Sequence, residues 1–370
     1  MTEWKVRFVD FPAQFRALED EIMPAIREVL ALGDLIMRQQ MLDFEQNLAA
    51  YVGTPDAVGV SNCSDGLRLA LEALGVGPGD EVITVSHTFL ATIGAIHHRG
   101  AIPVLVDVGP DHVMDPDAAA AAVTDRTRGI IPVHLNGRVC RMDAIMDLAR
   151  THDLFVLEDA AQALGGSYAG VRGGAWGAAG TFSFYPAKML GAYGDAGAVT
   201  VNDAAIAAKL RLLRDHGRAT KDSFEGYGWN CRLDNLQAAI LDVKLRHYPA
   251  VVDRRRELAA LYDKSLEGID EVVRPPAPTA DGPHFDVYQN YVVEAQRRDE
   301  LKAFLAEGGI ETLVSLPIPN HKQPTLRLDH FDLPKTEQLS RDQISLPLTT
   351  ELDDGQIEYV ADAIRRFYAA

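Results

Sequence analysis

The stretch Thr181-Phe-Ser-Phe-Tyr-Pro-Ala-Lys188, which runs on through Met-Leu-Gly-Ala-Tyr-Gly-Asp-Ala-Gly197, joins an apolar strand to one lysine in a glycine-rich tract. Glycines after the proline allow the backbone to turn sharply. A lysine at the lip of an apolar element is poorly solvated, which disfavours its ammonium form and leaves an amine that can condense with an aldehyde or ketone. A solvated lysine at a strand end is the commoner arrangement, so this interpretation depends on partners elsewhere in the chain.

Strand and helix patterns alternate along the chain before this stretch. Short apolar runs predict buried strands, and amphipathic runs between them predict helices. The predicted strands are 57–60, 81–86, 102–107, 129–134 and 154–158, and the predicted helices are 14–32, 41–51, 67–74, 89–99, one beginning at Asp115-Pro116, and 142–152. This alternation predicts an α/β fold with a mostly parallel sheet, helices on both faces and ligands at the carboxyl ends of the strands.

The pattern loosens after a predicted helix at 204–216. A helix from 233 to 245 is predicted to end near Pro249, and a separate charged helix at 253–266 leads into the proline-rich segment Arg274-Pro-Pro-Ala-Pro278. A strand at 287–293 and helices at 299–307 and 354–367 follow. We therefore predict a large domain of residues 1–248, including the N-terminal helix, and a smaller α+β domain of residues 249–370.

Composition narrows the classes of function. The 370 residues include 36 basic and 53 acidic side chains, and the net charge of -17 disfavours nucleic acid and anionic lipid as partners. No run approaches the ~18 apolar residues that cross a bilayer, and the first seven residues lack the apolar core of a signal peptide, so we expect no membrane partner and a cytoplasmic location. Three separate cysteines without a CxxC pair indicate reduced thiols and no metal site.

Three features are expected to converge on Lys188. The buried strand Leu154-Phe-Val-Leu-Glu158 delivers Asp159 at its carboxyl end, with Gln162 three residues on. The polar turn Ser61-Asn-Cys-Ser-Asp-Gly66 opens a helix, whose free amides and dipole favour an anion. Phe89 offers a flat surface for a ring, although a core position is the alternative for it. Each feature alone is weak evidence of a site.

Together these features match the needs of pyridoxal phosphate. Its aldehyde condenses with a lysine, its phosphate binds at a helix N-terminus, and its ring nitrogen needs a carboxylate to stay protonated. The chain contains no GxGxxG, P-loop or HExxH pattern, so nicotinamide-dependent, nucleotide-hydrolysing and zinc-peptidase activities lack their motifs.

Eight ordered segments carry a family resemblance over nearly the whole chain. They are Phe8-Val-Asp-Phe-Pro, Gly75-Val-Gly-Pro-Gly-Asp-Glu-Val, Glu158-Asp-Ala-Ala-Gln, Phe182-Ser-Phe-Tyr-Pro-Ala-Lys188, Arg232-Leu-Asp-Asn-Leu-Gln-Ala-Ala239, Pro319-Asn-His-Lys-Gln-Pro324, Thr336-Glu-Gln-Leu-Ser340 and Ser345-Leu-Pro-Leu348. The chain resembles the DegT/DnrJ/EryC1/StrS family of nucleotide-sugar aminotransferases, which are pyridoxal-phosphate enzymes of the aspartate-aminotransferase fold (fold type I). The resemblance implies that Lys188 holds the cofactor covalently, Asp159 pairs with its ring nitrogen, Gln162 lies beside its ring hydroxyl and Phe89 stacks on the ring.

The resemblance also implies how the phosphate is held. Ser64, the Asp65 amide and Ser183 would bind it within one subunit. Asn230 matches the family asparagine that reaches the phosphate of the neighbouring subunit's cofactor, with Arg232 close by. A homodimer would therefore share each active site between subunits.

Several positions depart from the common family pattern. Cys63 stands where glycine is frequent, Tyr185 where many relatives have histidine, and Ala196 where a glycine is usual. Members that act as sugar 3-dehydratases have histidine in place of the cofactor lysine. Lys188 therefore favours transamination.

The implied reaction moves an amino group from an amino acid, expected to be L-glutamate, to a dTDP-, UDP- or GDP-linked keto deoxysugar, with Lys188 as base and acid. The tracts around Tyr185, Tyr193 and Arg232 favour a 3-keto-6-deoxyhexose, whereas His134-Leu-Asn-Gly-Arg138 differs from the familiar His-Leu-Tyr-Gly-Gln. Alternatives are a 4-keto enzyme, a pyridoxal enzyme of elimination or racemisation, and a regulatory member without catalysis. Candidate substrate contacts are Tyr185, Arg218, Arg232, His321 and Lys322.

Overall fold

A computed structural model of the chain describes residues 4–279 and 281–369, which leaves out residues 1–3 of the N-terminal stretch considered above, Ala280 and Ala370. The helices are α1 (Phe11–Leu32), α2 (Gln39–Val52), α3 (Cys63–Ala73), α4 (Leu90–His98), α5 (Pro116–Ala121), α6 (Met142–His152), α7 (Ala204–Arg214), α8 (Asn235–Ser265), α9 (Arg298–Glu307), α10 (Pro334–Asp342) and α11 (Asp354–Ala369). The strands are β1 (Asp56–Val60), β2 (Glu81–Val85), β3 (Ile102–Val106), β4 (Thr127–Ile130), β5 (Phe155–Asp159), β6 (Ser167–Tyr168), β7 (Val171–Arg172), β8 (Ala179–Ser183), β9 (Gly197–Val201), β10 (Arg218–Thr220), β11 (Ser223–Phe224), β12 (Val272–Val273), β13 (His284–Phe285), β14 (Tyr291–Ala295) and β15 (Gln343–Leu346).

The central sheet has seven strands in the order β1-β9-β8-β5-β4-β2-β3. Strands β8, β5, β4, β2 and β3 pair in parallel, whereas β9 pairs antiparallel with both β8 and β1. Because β9 alone is reversed, β1 points the same way as the other strands. The α/β fold and the mostly parallel sheet predicted from the alternation are confirmed.

Helices cover both faces of the sheet, as the continuous apolar strands require. Neighbouring residues of β9 show this, because successive side chains of a strand point to opposite faces. Ala198 belongs to the core formed with α2 and α8, and Val199 belongs to the core formed with α3 and α7.

A second core lies in the C-terminal part of the chain. The sheet β12-β14-β15 packs with α9, α11 and the end of α8 around Tyr262, Tyr291 and Ile364, which are all fully buried. Helix α8 connects this C-terminal core with the core between α2 and the central sheet, since Leu258 lies in the former and Leu241 and Leu245 lie in the latter. It runs through residue 248, where we placed the domain boundary, and that boundary stays a prediction.

Several predicted elements differ from the structure. The strand predicted at 287–293 begins at Tyr291. The helices at 233–245 and 253–266 are one helix, α8, with Pro249 inside it. The strand predicted at 129–134 ends at Ile130, because Pro132 has no amide to continue the ladder. The helix predicted to start at Leu67 starts at Cys63. Within the described residues, none of the helices has the length and apolar character needed to cross a membrane.

Candidate active site

The carboxyl ends of β1, β8 and β5 meet at one edge of the central sheet. Val60, at the end of β1, and Ser183, at the end of β8, both pair with Gly197, the first residue of β9. Asp159, at the end of β5, pairs with Thr181 of β8. This edge therefore brings together the turn after β1, the buried carboxylate and the loop that carries Lys188.

Asp159 is a buried carboxylate that forms no direct ion pair among the described residues. Its Oδ2 accepts a hydrogen bond from Thr92 Oγ1 at 2.7 Å, and its Oδ1 accepts one from the Ala161 amide at 3.2 Å. No lysine, arginine or histidine of the described residues forms an ion pair with it. Burial raises the pKa of Asp159, opposed first by the Thr92 hydrogen bond. A buried carboxylate in this state fits a positively charged ring nitrogen.

Lys188 follows β8 in a loop that neighbouring side chains hold. Its amide donates to Tyr185 O at 2.8 Å, and Gln289 brackets the lysine by accepting from the Met189 amide and donating to Ala187 O. Burial lowers the pKa of Lys188, while Cys63 and Asp159 act in the opposite direction. The lowered pKa leaves more of the uncharged amine, which is the nucleophilic form.

The turn after β1 forms the N-terminus of α3. Asn62 is its N-cap and accepts from the Asp65 amide at 2.8 Å. The Asp65 amide is therefore already engaged, which argues against its predicted role in holding phosphate. Among the described residues nothing accepts from the amides of Cys63 and Ser64, so these first-turn amides, with the Ser64 hydroxyl, are better placed to bind an anion.

Three further predicted cofactor contacts lie at this edge. Phe89 precedes α4 at the end of β2 with its side chain 72% exposed, so its ring is open to a ligand. Gln162 Oε1 accepts from the Asn136 amide at 2.9 Å, which leaves its Nε2 as the group that can donate to a ring hydroxyl. Ser183 and Lys188 share a small cavity with Gln162.

A buried pair behind Asp159 was missed from the sequence. Glu158 Oε2 accepts from His134 Nε2 at 2.9 Å and from the Gly174 amide at 2.7 Å, and its Oε1 accepts from the amides of Trp176 and Gly177. The His134 amide donates to Asp159 O. Glu158 thus fixes the backbone next to the catalytic candidate. The acidic doublet in an apolar strand was the available signal, because an inward carboxylate needs buried donors.

Exposed Asn230 and half-buried Arg232 flank the buried Cys231 on a segment that passes the turn after β1. Ser61 donates its amide to Cys231 O at 3.0 Å, and the Arg232 guanidinium donates to Asp215 Oδ1 at 3.0 Å. Arg218 lies on the exposed hairpin β10–β11, and its guanidinium is 4.0 Å from the same aspartate. Asp215 therefore partly neutralises both arginines within the chain.

The remaining substrate candidates have different surroundings. Tyr185 is 55% exposed beside Lys188. His321 is fully buried, with Nδ1 2.8 Å from Ser86 Oγ and Nε2 3.3 Å from Glu337 Oε1, and burial lowers its pKa. That environment argues against His321 as a cation for a diphosphate. Lys322 forms an ion pair with Glu337 at 3.1 Å, so its charge is also partly compensated.

The chain as a whole is similar to known proteins. The DegT/DnrJ/EryC1/StrS aminotransferase family matches residues 16–365. The dTDP-3-amino-3,4,6-trideoxy-alpha-D-glucose transaminase of Streptomyces venezuelae is 42% identical over 98% of this chain and 96% of its own, and a pleiotropic regulatory protein of Geobacillus stearothermophilus is 43% identical over 98% of each. The crystal structure of S. venezuelae DesV in complex with a ketimine intermediate superposes with a TM-score of 0.95 at 40% identity, covering 99% of both chains.

Proposed function

The chain belongs to the DegT/DnrJ/EryC1/StrS aminotransferase family, and from this premise we infer that it moves an amino group onto a keto group of a nucleotide-linked deoxysugar in amino-sugar biosynthesis. It is a pyridoxal-phosphate-dependent aminotransferase. The observation that carries the assignment is the end of the sheet where the buried amine of Lys188 lies near the buried carboxylate of Asp159, which forms no direct ion pair among the described residues.

The residues at this edge have separate tasks in the proposed mechanism. When bound, pyridoxal phosphate supplies an aldehyde that condenses with amines and a protonated ring that accepts electrons. Lys188 Nζ would hold the cofactor and, when released by the donor, move a proton as general base and acid. Asp159 would hold the positive charge of the ring, and Gln162 Nε2 would donate to its hydroxyl. Ser64, Ser183 and the first amides of α3 would hold the phosphate.

Replacement of Lys188 tests this assignment. We expect Lys188→Ala to abolish release of 2-oxoglutarate from glutamate, because Lys188 is the amine in the loop after β8 whose charge interacts with Asp159. Lys209→Ala is the matched control, since Lys209 Nζ donates only to the carbonyls of Glu72 and Ala73 on the surface. Turnover that survives in Lys188→Ala would refute the assignment. A regulatory role, suggested by the G. stearothermophilus relative, predicts no 2-oxoglutarate from the wild type either.

We propose a 3-keto-6-deoxyhexose as acceptor, linked to dTDP, UDP or GDP. The support is the similarity to a transaminase named for a dTDP-3-amino sugar, together with the tracts around Tyr185 and Tyr193. Incubation with glutamate and a panel of 3-keto and 4-keto nucleotide sugars, followed by mass and proton-coupling analysis of products, tests it. Amination only at carbon 4 would favour the alternative 4-keto activity.

We propose L-glutamate as the amino donor because of a cationic cavity of about 290 Å³ that Lys188 borders. Lys244 Nζ, in its wall, donates to Gly191 O, and Arg255 donates to the carbonyls of Tyr288 and Gln289. In the described part of the chain neither forms an ion pair, and burial lowers the pKa of Lys244 to about 8. Glu351 lines the same cavity and acts on both cations at longer range, but neither cation is in direct contact with a carboxylate of the described residues. Two such cations in a protein of net charge -17 suit a dicarboxylate.

Kinetics of Lys244→Met separate the donor from the acceptor. We expect the KM for glutamate to rise about tenfold or more, as for a lost charge-assisted hydrogen bond. The KM for the keto sugar should stay unchanged. In the control variant Lys209→Met, the KM for glutamate and the KM for the keto sugar should both stay unchanged. An unchanged KM for glutamate would exclude this cavity as the donor site.

We propose that the enzyme works as a cytoplasmic homodimer, with Asn230 and Arg232 completing the partner's site. The exposed aromatic side chains of the same segment support an interface there: Phe224, Tyr227 and Trp229 are 59%, 99% and 43% exposed. The three free, buried cysteines suit a reducing compartment. We expect Lys188→Ala and Asn230→Ala each to be inactive alone. After random subunit exchange about half of the dimers are mixed, and one of the two sites in each mixed dimer has both residues, so about a quarter of all sites should recover activity. No recovery after subunit exchange would refute sharing.

A further inference from the structure

The hydroxyl of Thr92 makes the shortest contact with the Asp159 carboxylate. Thr92 lies in the first turn of α4 and is fully buried. Its Oγ1 is 2.7 Å from Asp159 Oδ2 and 2.8 Å from Thr88 Oγ1. Thr92 Oγ1 also lies 3.3 Å from Phe89 O, but the carboxylate only accepts and is the nearer acceptor, so Thr92 donates to Asp159 and its oxygen accepts the Thr88 proton. The two threonines form a directed chain of hydrogen bonds that ends on the carboxylate.

This chain of hydrogen bonds is built into the turn that also presents Phe89. Thr88 and Thr92 lie on either side of this residue, and Asn320 Nδ2 fixes the turn from the C-terminal part by donating to Thr88 O at 2.7 Å and Ser86 O at 2.9 Å. Asn320 is itself buried. The position of the Thr92 hydroxyl is therefore set by contacts outside the cofactor site, as preorganisation requires.

We propose that Thr92 is a positioning residue for transamination, which fixes the Asp159 carboxylate toward the cofactor ring, and that Thr88 orients the Thr92 hydroxyl. The inference rests on the proposed function, in which Asp159 faces the ring nitrogen. Without Thr92 the carboxylate keeps one hydrogen bond, from the Ala161 amide. The burial that raises the pKa of Asp159 would then be opposed less strongly.

Substitutions of Thr92 separate the hydroxyl from the shape of the side chain. Thr92→Val keeps the shape and removes the donor, so we expect about 10- to 100-fold weaker binding of pyridoxal phosphate and a similar fall in kcat, the range for a lost hydrogen bond to a charged group. Thr92→Ser keeps the donor and should stay within about threefold of the wild type. Thr88→Val leaves the Thr92 donor in place and should have an intermediate effect.

The measurements are titration of cofactor-free protein with pyridoxal phosphate and the pH profile of kcat. Thr84→Val is the matched control, because Thr84 is a fully buried threonine of β2 whose hydroxyl donates to Ile131 O. A carboxylate that lacks its donor protonates at higher pH, so the low-pH limb of kcat should move upward in Thr92→Val and return in Thr92→Ser. A packing defect would lower stability without moving that limb.

Asp159→Asn distinguishes failure of this inference from failure of the proposed function. If Asp159→Asn abolishes turnover while Thr92→Val binds cofactor and titrates like Thr84→Val, the positioning role is refuted and the function stands. If Asp159→Asn itself binds cofactor and turns over normally, the roles of Asp159 and Thr92 are both refuted while the function stands; a wild type that releases no 2-oxoglutarate from glutamate would refute the function. Should Thr92→Val not fold, Thr92→Ala against Thr84→Ala gives the same comparison without added bulk.

Discussion

A methyl group added at Gly197 should weaken cofactor binding by displacing the backbone of the neighbouring turn at Asn62 and Cys63. A Cβ there would lie 2.5 Å from Asn62 C and 2.7 Å from Cys63 N, about 0.9 Å short of the 3.4 Å at which ordinary contact begins. Neither neighbour is the end of a flexible side chain, so β9 and the start of α3 must separate. Overpacking of this kind costs about 1–3 kcal/mol. If the cost falls on the turn proposed to bind phosphate, Gly197→Ala should weaken pyridoxal phosphate binding about 5- to 150-fold.

The assay is titration of cofactor-free protein with pyridoxal phosphate, followed by absorbance. Gly77→Ala is the control, because a Cβ at Gly77 meets nothing within 4 Å. Neither glycine has a positive φ, so strain in the backbone does not confuse the comparison. Equal affinity of Gly197→Ala and Gly77→Ala would refute the argument that this strand end shapes the phosphate turn.

Two further predictions concern buried groups near the site. Glu158 accepts hydrogen bonds from four donors, and Glu158→Gln would turn an NH2 group toward two of them and leave those two unpaired. At about 1–3 kcal/mol for each unpaired donor, we expect the free energy of unfolding, measured by denaturant titration, to fall by about 2–6 kcal/mol. The control Glu257→Gln, at an exposed ion pair, should lower it by at most about 1 kcal/mol. His87 is buried, and neither of its ring nitrogens has a hydrogen-bond partner within the described residues. Burial lowers its pKa to about 3, whereas a histidine in the unfolded chain has a pKa of about 6.5. The unfolded chain therefore binds the proton first as the pH falls, and the free energy of unfolding decreases from about pH 6.5 toward pH 3. Between pH 6.5 and 5 the wild type should lose about 2 kcal/mol that His87→Leu keeps, and parallel pH curves would contradict this.

Local patterns in the sequence were sufficient to place four strands of the central sheet and several residues at its carboxyl edge. Periodicity placed β1, β2, β3 and β5 within a residue or two, because buried parallel strands are short apolar runs bounded by turns. Periodicity failed at Pro249, which we took as the end of a helix. There the apolar residues on both sides of the proline pack into two cores, and this packing outweighs the missing hydrogen bond.

Pairing between distant residues was not predictable from local patterns. The sequence indicated an anion site at the start of α3, but not that Asn62 occupies the Asp65 amide, which depends on where the helix begins. His321 looked like a cation and is a buried ring held by Ser86 and Glu337. The hydrogen bond from Thr92 to Asp159 was not predicted, because the sequence around a threonine in an apolar helix does not indicate which distant carboxylate it contacts.

The reversed strand β9 has a consequence for the order in which the molecule assembles. Strands β8 and β9 form a hairpin around the Lys188 loop, so this unit closes only a short stretch of chain, whereas β1 must find β9 across everything from β2 to β8. The lysine loop should therefore become structured early, and the turn proposed to bind phosphate should be added late. During refolding, pulsed hydrogen exchange should protect the amides of β8 before those of β1, and the chain should acquire cofactor affinity only at the later step.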